Sequence, residues 1–196
     1  MTTFIEPAPQ NSTIVRTGMP TRIQPTRRRS RHRGLVQRVL LPSDVPLVEA
    51  MSTALSARSL QRRFFAGTPS IPRALLRQLG TLDHDQHEAV ITLAWGQVVG
   101  LAQYARLAGT DRAELAVMVA DAWQHNGIGS SLVSHLADLA AARGISAFDA
   151  AVLHDNETAR RALARLWPRA SSVDTEDYLE FRLPVADTRP TLADRR

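Results

Sequence analysis

The pattern of hydrophobic and polar positions divides residues 35–183 into short segments whose period changes twice. The first segment, 35–40, has the composition of a strand. Apolar residues then recur every three or four positions as far as residue 79, with glycine and proline between the groups. This spacing predicts several short helices rather than one long one. We predict these helices over 45–57, 59–65 and 72–79.

The middle of the chain switches to runs of Val, Ile, Leu and Ala separated by short turns that contain glycine. Such runs predict an antiparallel meander of three strands. After residue 127, helical spacing and strand-like runs alternate. The meander is predicted over 89–95, 98–107 and 112–120, two helices over 128–143 and 156–166, and two strands over 148–153 and 178–183. The fold class is therefore α+β, with a mixed, mostly antiparallel central sheet flanked by helices.

Positive charge is concentrated in the first part of the chain. The formal net charge is +5 over 196 residues, but residues 1–34 alone carry seven arginines and one acidic residue. Because this segment also holds four prolines and has no hydrophobic period, we predict a disordered basic arm over 1–34. A folded domain over 35–184 and a flexible tail over 185–196 complete the predicted organisation. The arginine cluster at 27–33 is typical of a nucleic-acid contact, but it lacks aromatic residues for base stacking, which favours a solvated extension.

The composition excludes several classes of chemistry. The chain contains no Cys and no Lys, so disulfides, thiolate metal sites and cysteine nucleophiles are absent. His84 and His87 lie in a polar segment outside the predicted elements, and we predict no metal site. The sequence has no run of about 18 apolar residues and no apolar signal segment at its start, so we expect a cytoplasmic protein without membrane contact. Trp95 and Trp123 are expected to pack in the core or at the sheet edge.

One segment joins a strand to a helix through a loop with two closely spaced glycines. Gly127 and Gly129 stand where the chain enters the helix, and glycine permits backbone conformations and close approach that a Cβ would prevent. The unpaired N–H groups and the dipole of the first helical turn favour an anion such as a phosphate or pyrophosphate. The loop has no Lys-Ser or Lys-Thr after its second glycine and no third glycine. It is therefore neither a P-loop nor a dinucleotide-binding fingerprint.

The amino-acid sequence around this loop resembles that of the acyl-CoA-binding loop of the GNAT acetyltransferases. Residues 124–129 fit Gln/Arg-x-x-Gly-x-Gly/Ala, residues 117–124 resemble the V-x-V-x-x-x-W/Y-Q segment that precedes it, and residues 152–156 are similar to V-x-x-x-N. Within this superfamily, the sequence most resembles bacterial protein-lysine acetyltransferase domains, in three segments, 59–65, 99–106 and 113–116. The resemblance implies a GNAT-like acyl-CoA N-acyltransferase fold and an acetyl-CoA-dependent N-acetyltransferase that uses no metal.

By the same resemblance, the cofactor lies along the strand and the loop. Main-chain groups of Met118 and Val119 would hold the pantetheine arm like an added strand. Asn156 would contact the cofactor amides, with a helix N-cap as its alternative role. The loop would bind the pyrophosphate through Gln124, His125, Asn126, Gly127, Ile128, Gly129 and Ser130.

Two acidic residues are candidates for the catalytic base. Glu114 matches the position of the family's base, which removes the proton that an amine carries at neutral pH. Asp121 is the weaker candidate, because capping explains an acid at a strand end. The later helix, 156–166, has no tyrosine to protonate the leaving thiolate, so the general acid is unassigned.

The absence of Cys excludes a cysteinyl intermediate, and the expected reaction is therefore direct transfer of the acetyl group to a primary amine. The acceptor is either protein lysine, as the resemblance to protein-lysine acetyltransferase domains implies, or a small-molecule amine. The alternative function is a catalytically weak acyl-CoA-binding regulatory module.

Overall fold

The structure, a computed structural model, describes residues 28–29 and 34–188. The rest of the predicted arm and the end of the predicted tail lie outside these residues. The strands are β1 Arg28–Arg29, β2 Leu35–Val39, β3 His87–Ala94, β4 Gln97–Arg106, β5 Arg112–Val119, β6 Ala147–Leu153, β7 Ser171–Asp174 and β8 Tyr178–Pro184. The helices are α1 Val45–Ala50, α2 Ala57–Phe64, α3 Arg73–Leu79, α4 Ile128–Ala142 and α5 Glu157–Leu166.

The strands of the described residues form one sheet in the order β1-β2-β3-β4-β5-β6-β8-β7. Within it, β5 and β6 are the one parallel pair, and every other neighbouring pair is antiparallel. A parallel pair needs a crossover, and α4 supplies it, whereas the meander of β3, β4 and β5 is joined by short turns. The predicted α+β class with a mostly antiparallel sheet is confirmed.

The structure departs from the predicted elements where the hydrophobic pattern is weak. β7 was not predicted, because all four of its residues are exposed and its sequence lacks the alternation of apolar and polar residues that indicates a strand. It is held in the sheet by its pairing with β8. The single helix predicted over 45–57 ends at Ala50, continues as a 3-10 turn over Met51–Ala54 and is followed by α2. Ser56 is the N-cap of α2, since its side chain accepts a hydrogen bond from the Ser59 N–H.

Helix α4 packs across β3, β4 and β5 through an apolar face that includes Leu132 and Leu136. The approach is close at Gly100 of β4, where an added Cβ would lie 2.9 Å from Leu132 Cδ1 and 3.0 Å from Ile128 Cγ2. Consecutive residues of β3 and β4 are buried, so both faces of the sheet centre are covered. The close packing at Gly100 sets the position of the helix N-terminus relative to β5.

A buried polar network connects the sheet to the other end of α4. The Glu88 side chain is fully buried, and its carboxylate contacts His84 Nδ1 at 2.9 Å and accepts a hydrogen bond from the Arg143 guanidinium at 2.7 Å. Arg143 also donates to the Tyr104 hydroxyl at 3.3 Å. Tyr104 in turn donates to the main-chain carbonyl of Asp85 at 3.2 Å. These bonds satisfy charged groups that burial would otherwise penalise.

Trp95 does not pack as expected. It occupies the turn between β3 and β4 with φ of 47°, and its side chain is 81% exposed because the turn projects beyond the sheet. Its ring contacts that of Trp123, which is partly buried against the core, with 5.4 Å between centroids. None of the described helices combines the length and the apolar character needed to cross a membrane.

Candidate active site

Strands β5 and β6 pair over a short distance and then separate. Their register comprises three positions, the last joining Glu114 to Asp149. β4 stays paired with β5 as far as Val119, and β8 stays paired with β6 as far as Leu153. The facing edges of 115–119 and 150–153 therefore border a gap, which we call the β5–β6 gap. A narrow, extended ligand with amide groups can occupy such a gap as an added strand.

Hydrogen bonds at the two ends of β5 identify the main-chain groups that face this gap. The Ala120 N–H donates to the Val99 carbonyl at 2.9 Å, and the Arg112 carbonyl accepts from Leu107 at 2.9 Å. Because main-chain groups alternate sides along a strand, the even-numbered residues of β5 are directed towards β4.

The main-chain groups of Val117 and Val119 accordingly face the gap, and those of Met118 face β4; the Met118 side chain is buried. The expected pair for the pantetheine arm was Met118 and Val119. The main-chain direction brings Val117 rather than Met118 to the gap, because the hydrogen-bonding side of a residue depends on the register with β4. That register is set by a neighbouring strand and has no local signal.

The loop after β5 ends in a helix N-terminus without a side-chain cap. Gly127 has φ of 76° and precedes α4, and His125 is also left-handed, with φ of 62°. The first main-chain bond at this end joins the Ser131 N–H to the Gly127 carbonyl at 3.0 Å. The N–H groups of Ile128, Gly129 and Ser130 therefore point out of the helix, and no side chain of the described residues caps them. With no acidic residue in the first turn, this end of the helix favours an anion.

Two polar side chains of the loop, Gln124 and Asn126, donate hydrogen bonds within the protein. Gln124 Nε2 lies 3.1 Å from the Val119 carbonyl oxygen, 3.1 Å from Asp121 Oδ1 and 3.2 Å from Ser59 Oγ. Asn126 donates to the Gln124 carbonyl at 3.1 Å. Gln124 and Asn126 thus hold the shape of the loop, whereas its main-chain N–H groups are available to a ligand.

Nothing within the protein requires residue 129 to be a glycine. A Cβ added there would lie 3.7 Å from Val119 and 4.0 Å from Val117, which are ordinary van der Waals distances. Gly127 is different, since its left-handed backbone strains any residue with a Cβ. The absence of a side chain at Gly129 therefore fits close approach of a ligand to the helix end.

Glu114 lies at the closed end of the β5–β6 gap with an exposed side chain. The opposing Asp149 is engaged by two arginines, with Arg112 at 2.7 Å and Arg182 at 3.3 Å. Arg63 of α2 provides a positive charge near Glu114. Burial lowers the pKa of Arg63 to about 10, and the attraction of the Glu114 carboxylate opposes that effect. Glu114 is thus an accessible carboxylate at the end of the gap.

Asp121 is hydrogen-bonded through both carboxylate oxygens. It accepts from Ser59 Oγ at 2.6 Å and from the Ser56 N–H at 3.1 Å. Burial acts to raise the pKa of Asp121, but the hydrogen bonds from Ser59 and Ser56 outweigh it and lower that pKa. An ionised carboxylate with both oxygens engaged suits a structural contact better than proton abstraction.

The far side of the gap is formed by the end of β6 and the start of α5. The Asn156 side-chain oxygen accepts from the Ala159 N–H at 3.3 Å, so Asn156 is the N-cap of α5, and its amide NH₂ group is left for a ligand. A pocket of about 430 Å³ lies beside it, lined by Arg58, Gln61, Arg62, Leu153, His154, Asp155 and Asp177. In the part of the chain that the structure describes, no group of three or more potential metal ligands occurs.

Comparisons with known proteins find related acetyltransferases. The model of the acetyltransferase (GNAT) family matches residues 55–166. Acetyltransferase Pat of Mycolicibacterium smegmatis is 33% identical over 163 residues, which are 78% of this chain and 47% of that protein. The chain thus spans about half the length of the curated relative it matches.

Solved structures show the same fold. The GNAT domain of S. lividans PAT superposes with a TM-score of 0.71 at 22% identity, covering 76% of this chain and 90% of that one. A cAMP-binding acyltransferase from Mycobacterium smegmatis superposes with a TM-score of 0.56 at 30% identity, covering 87% of this chain and 52% of that one.

Proposed function

Because the chain belongs to the acetyltransferase (GNAT) family, we propose that it transfers the acetyl group of acetyl-CoA directly to a primary amine. The observation that supports this most strongly is the continuity of two features. The uncapped N-terminus of α4 lies at the open end of the β5–β6 gap, and Glu114 lies at the closed end. A ligand that is anionic at one end, amide-bearing along its length and reactive at the other end matches that order.

In this proposal acetyl-CoA binds mainly through the main chain. Its pyrophosphate accepts hydrogen bonds from the N–H groups of residues 128–130. Its pantetheine arm enters the gap beside the main-chain groups of Val117 and Val119, with the Asn156 amide on the opposite side. The thioester then lies towards Glu114.

The chemical step needs a base, because a lysine-type amine has a pKa of about 10.4 and is protonated at neutral pH. Glu114 takes that proton, directly or through a water. The positive charge of Arg63 disfavours the ammonium form of the acceptor beside it and so assists deprotonation. The neutral amine attacks the thioester carbonyl and the C–N bond forms. The C–S bond then breaks, the nitrogen loses its second proton, and CoA leaves as a thiolate that takes up that proton.

We propose protein lysine as the acceptor. The support is the similarity of 59–65, 99–106 and 113–116 to bacterial protein-lysine acetyltransferase domains. The pocket beside the gap is open and lined by both positive and negative side chains, which suits a peptide better than a small apolar amine. A small-molecule amine is the competing acceptor.

A second candidate function is an acyl-CoA-binding module of low activity. It is favoured by one observation, that α5 carries no tyrosine to protonate the leaving thiolate. A thiol with a pKa of about 8.5 is a fair leaving group without such an acid, so we prefer the enzyme.

Release of free CoA thiol tests the proposal directly. The protein is mixed with acetyl-CoA and a panel of lysine peptides and small amines, and the thiol is detected with a colorimetric reagent. The protein contributes no thiol and no lysine side chain, so neither background signal nor lysine self-acetylation interferes. Acetyl-CoA binding without thiol release from any acceptor would favour the binding module.

Glu114→Gln tests the assignment of the base. We expect kcat to fall about 100-fold or more, because a general base typically contributes 10²- to 10⁴-fold. Acetyl-CoA affinity should change little. Glu49→Gln, on the exposed surface of α1, is the matched control and should keep full activity. Unchanged turnover in Glu114→Gln would remove Glu114 from the mechanism.

A further inference from the structure

Helix α2 crosses the β5–β6 gap and is attached on both sides. At its start, the hydroxyl of Ser59 and the N–H of Ser56 bond to Asp121, which follows β5. Further along, Arg62 donates to the main-chain carbonyl of Asp155, which follows β6, at 2.7 Å. Beyond its end, the ring of Phe65 meets that of Tyr178 edge-on, with 5.7 Å between centroids.

These attachments matter because α2 has little stability of its own. Isolated helices shorter than about 12 residues are marginal in water, and α2 has eight residues. Of the described residues of α2, Leu60 is the one that is fully buried, and Phe64 is partly buried against the core. With so small an apolar face, the position of α2 depends in part on polar contacts at its two sides.

The two sides differ in the number of elements that they join. Asp155 also accepts from Arg58 at 3.0 Å and from Arg62 at 3.2 Å, but the side chains of Asp155 and Arg58 are 58% and 67% exposed. Exposed ion pairs of this kind contribute little. The contact on the Asp121 side includes a third partner, because Gln124 Nε2 contacts both Asp121 Oδ1 and Ser59 Oγ.

Gln124 belongs to the loop that precedes α4, so Asp121 joins this loop to α2. We propose that Asp121 is a positioning residue that couples the loop to α2, so that binding of CoA at the loop also orders the acceptor side of the gap. This inference rests on the proposed function. Its physical basis is linkage, since a ligand that restrains the loop restrains the shared hydrogen bonds and lowers the entropy cost of ordering α2.

Hydrogen–deuterium exchange of residues 57–64, with and without CoA, tests the coupling without an acceptor. In the unchanged protein, we expect CoA to slow exchange in this segment by about fivefold or more, a typical allosteric coupling. In Asp121→Ala, CoA should still bind through the main chain of the loop, but exchange in α2 should no longer respond. Ser59→Ala, which keeps the carboxylate, should weaken the response in the same direction.

The matched control is Asp111→Asn. Asp111 precedes β5 at its other end and is hydrogen-bonded by Ser146 rather than by α2. The α2 response of this variant should equal that of the unchanged protein.

Kinetics provide a readout that loss of stability alone would not give. Asp121→Ala should raise KM for both acetyl-CoA and the acceptor while the pH profile of kcat keeps its shape, because Asp121 takes no proton in the reaction. Loss of the acidic limb of that profile would instead make Asp121 the base and overturn the proposal.

The exchange experiment separates this inference from the proposed function. If CoA binds the unchanged protein and α2 does not respond, or if Asp121→Ala responds fully, the coupling is wrong and the proposed function stands. If calorimetry detects no CoA binding to the unchanged protein, the proposed function fails, and the coupling fails with it.

Discussion

At the scale of single residues, the two glycines of the loop have different roles. Gly127 is needed by the backbone, because its φ of 76° costs about 1–2 kcal/mol for a residue with a side chain. Gly129 has a helical position and room for a methyl group. Substitution at Gly129 therefore separates ligand binding from folding.

Gly129→Ala should leave the melting temperature unchanged or slightly raised, since alanine is a better helix former than glycine. It should weaken acetyl-CoA binding by about tenfold or more, because the added methyl group lies where the pyrophosphate approaches the helix end. Calorimetric titration with acetyl-CoA and a thermal melt measure the two effects. Gly67→Ala, at an exposed position with open space around it, is the control. Full affinity in Gly129→Ala would show that the ligand does not approach this residue.

Charges at the site also act at the residue scale. Glu114 lies in β5 at the closed end of the gap and Asp121 follows β5 at the open end, yet Asp121 is held by two serines and Glu114 is accessible beside Arg63. This difference in partners, rather than distance along the chain, distinguishes a positioning carboxylate from a base.

At the scale of elements, the contact of α4 with β4 sets the place of the anion-binding end. Ile128 is both the first residue of α4 and one of the two side chains that touch Gly100. Any change in that contact reaches the loop directly, because a helix moves largely as a rigid unit.

Gly100→Ala should therefore reduce both stability and cofactor affinity. The added methyl group would lie 2.9 Å from Leu132 Cδ1, and Leu132 is fully buried, so its side chain has no free space to occupy. We expect a loss of about 1–3 kcal/mol in the free energy of unfolding, as for other overpacked cores, together with a higher Kd for acetyl-CoA. Denaturant titration and calorimetry measure the two. Adding Leu132→Ala should restore part of the affinity, and a rise in Kd that persists unchanged in the double variant would contradict steric displacement of α4.

At the scale of the whole molecule, the polar network around Glu88 joins the sheet to the C-terminal end of α4. Four residues from three parts of the chain meet there, and each removes a penalty that burial imposes on another. A helix of 15 residues is about 22 Å long, so this network is distant from the loop at the opposite end.

Glu88→Gln should destabilise the protein by about 3–5 kcal/mol, because the partly buried Arg143 loses its charged partner. The double variant Glu88→Leu with Arg143→Met should cost less, since no buried charge is left unpaired. At temperatures where each variant is folded, acetyl-CoA affinity should be normal. Denaturant unfolding measures the loss of stability, and calorimetry measures the affinity for acetyl-CoA. A double variant at least as unstable as Glu88→Gln would show that packing, and not charge pairing, accounts for the loss.

The features that could be predicted from the sequence are local ones. Hydrophobic periodicity predicted five of the helical segments and most of the strands, because burial on one face of an element repeats with that element's own period. The loop with Gly127 and Gly129 was also predictable, since a left-handed turn before a helix demands glycine within a few residues. For Asn156, the position before a helix suggested an N-cap as the alternative to cofactor contact, and the N-cap is present.

The way in which these elements meet could be seen only in the folded chain. The β5–β6 gap, the direction of the Met118 and Val117 main-chain groups, the two attachments of α2 and the Glu88 network all depend on partners far apart in the chain. The Gln124–Ser59 and Arg62–Asp155 contacts, for example, join residues 65 and 93 positions apart. The residues adjacent in sequence indicate whether a side chain is buried and which turn the chain can adopt. The direction of a main-chain hydrogen bond and the separation of two strands are set instead by the strand or helix that packs beside them in space.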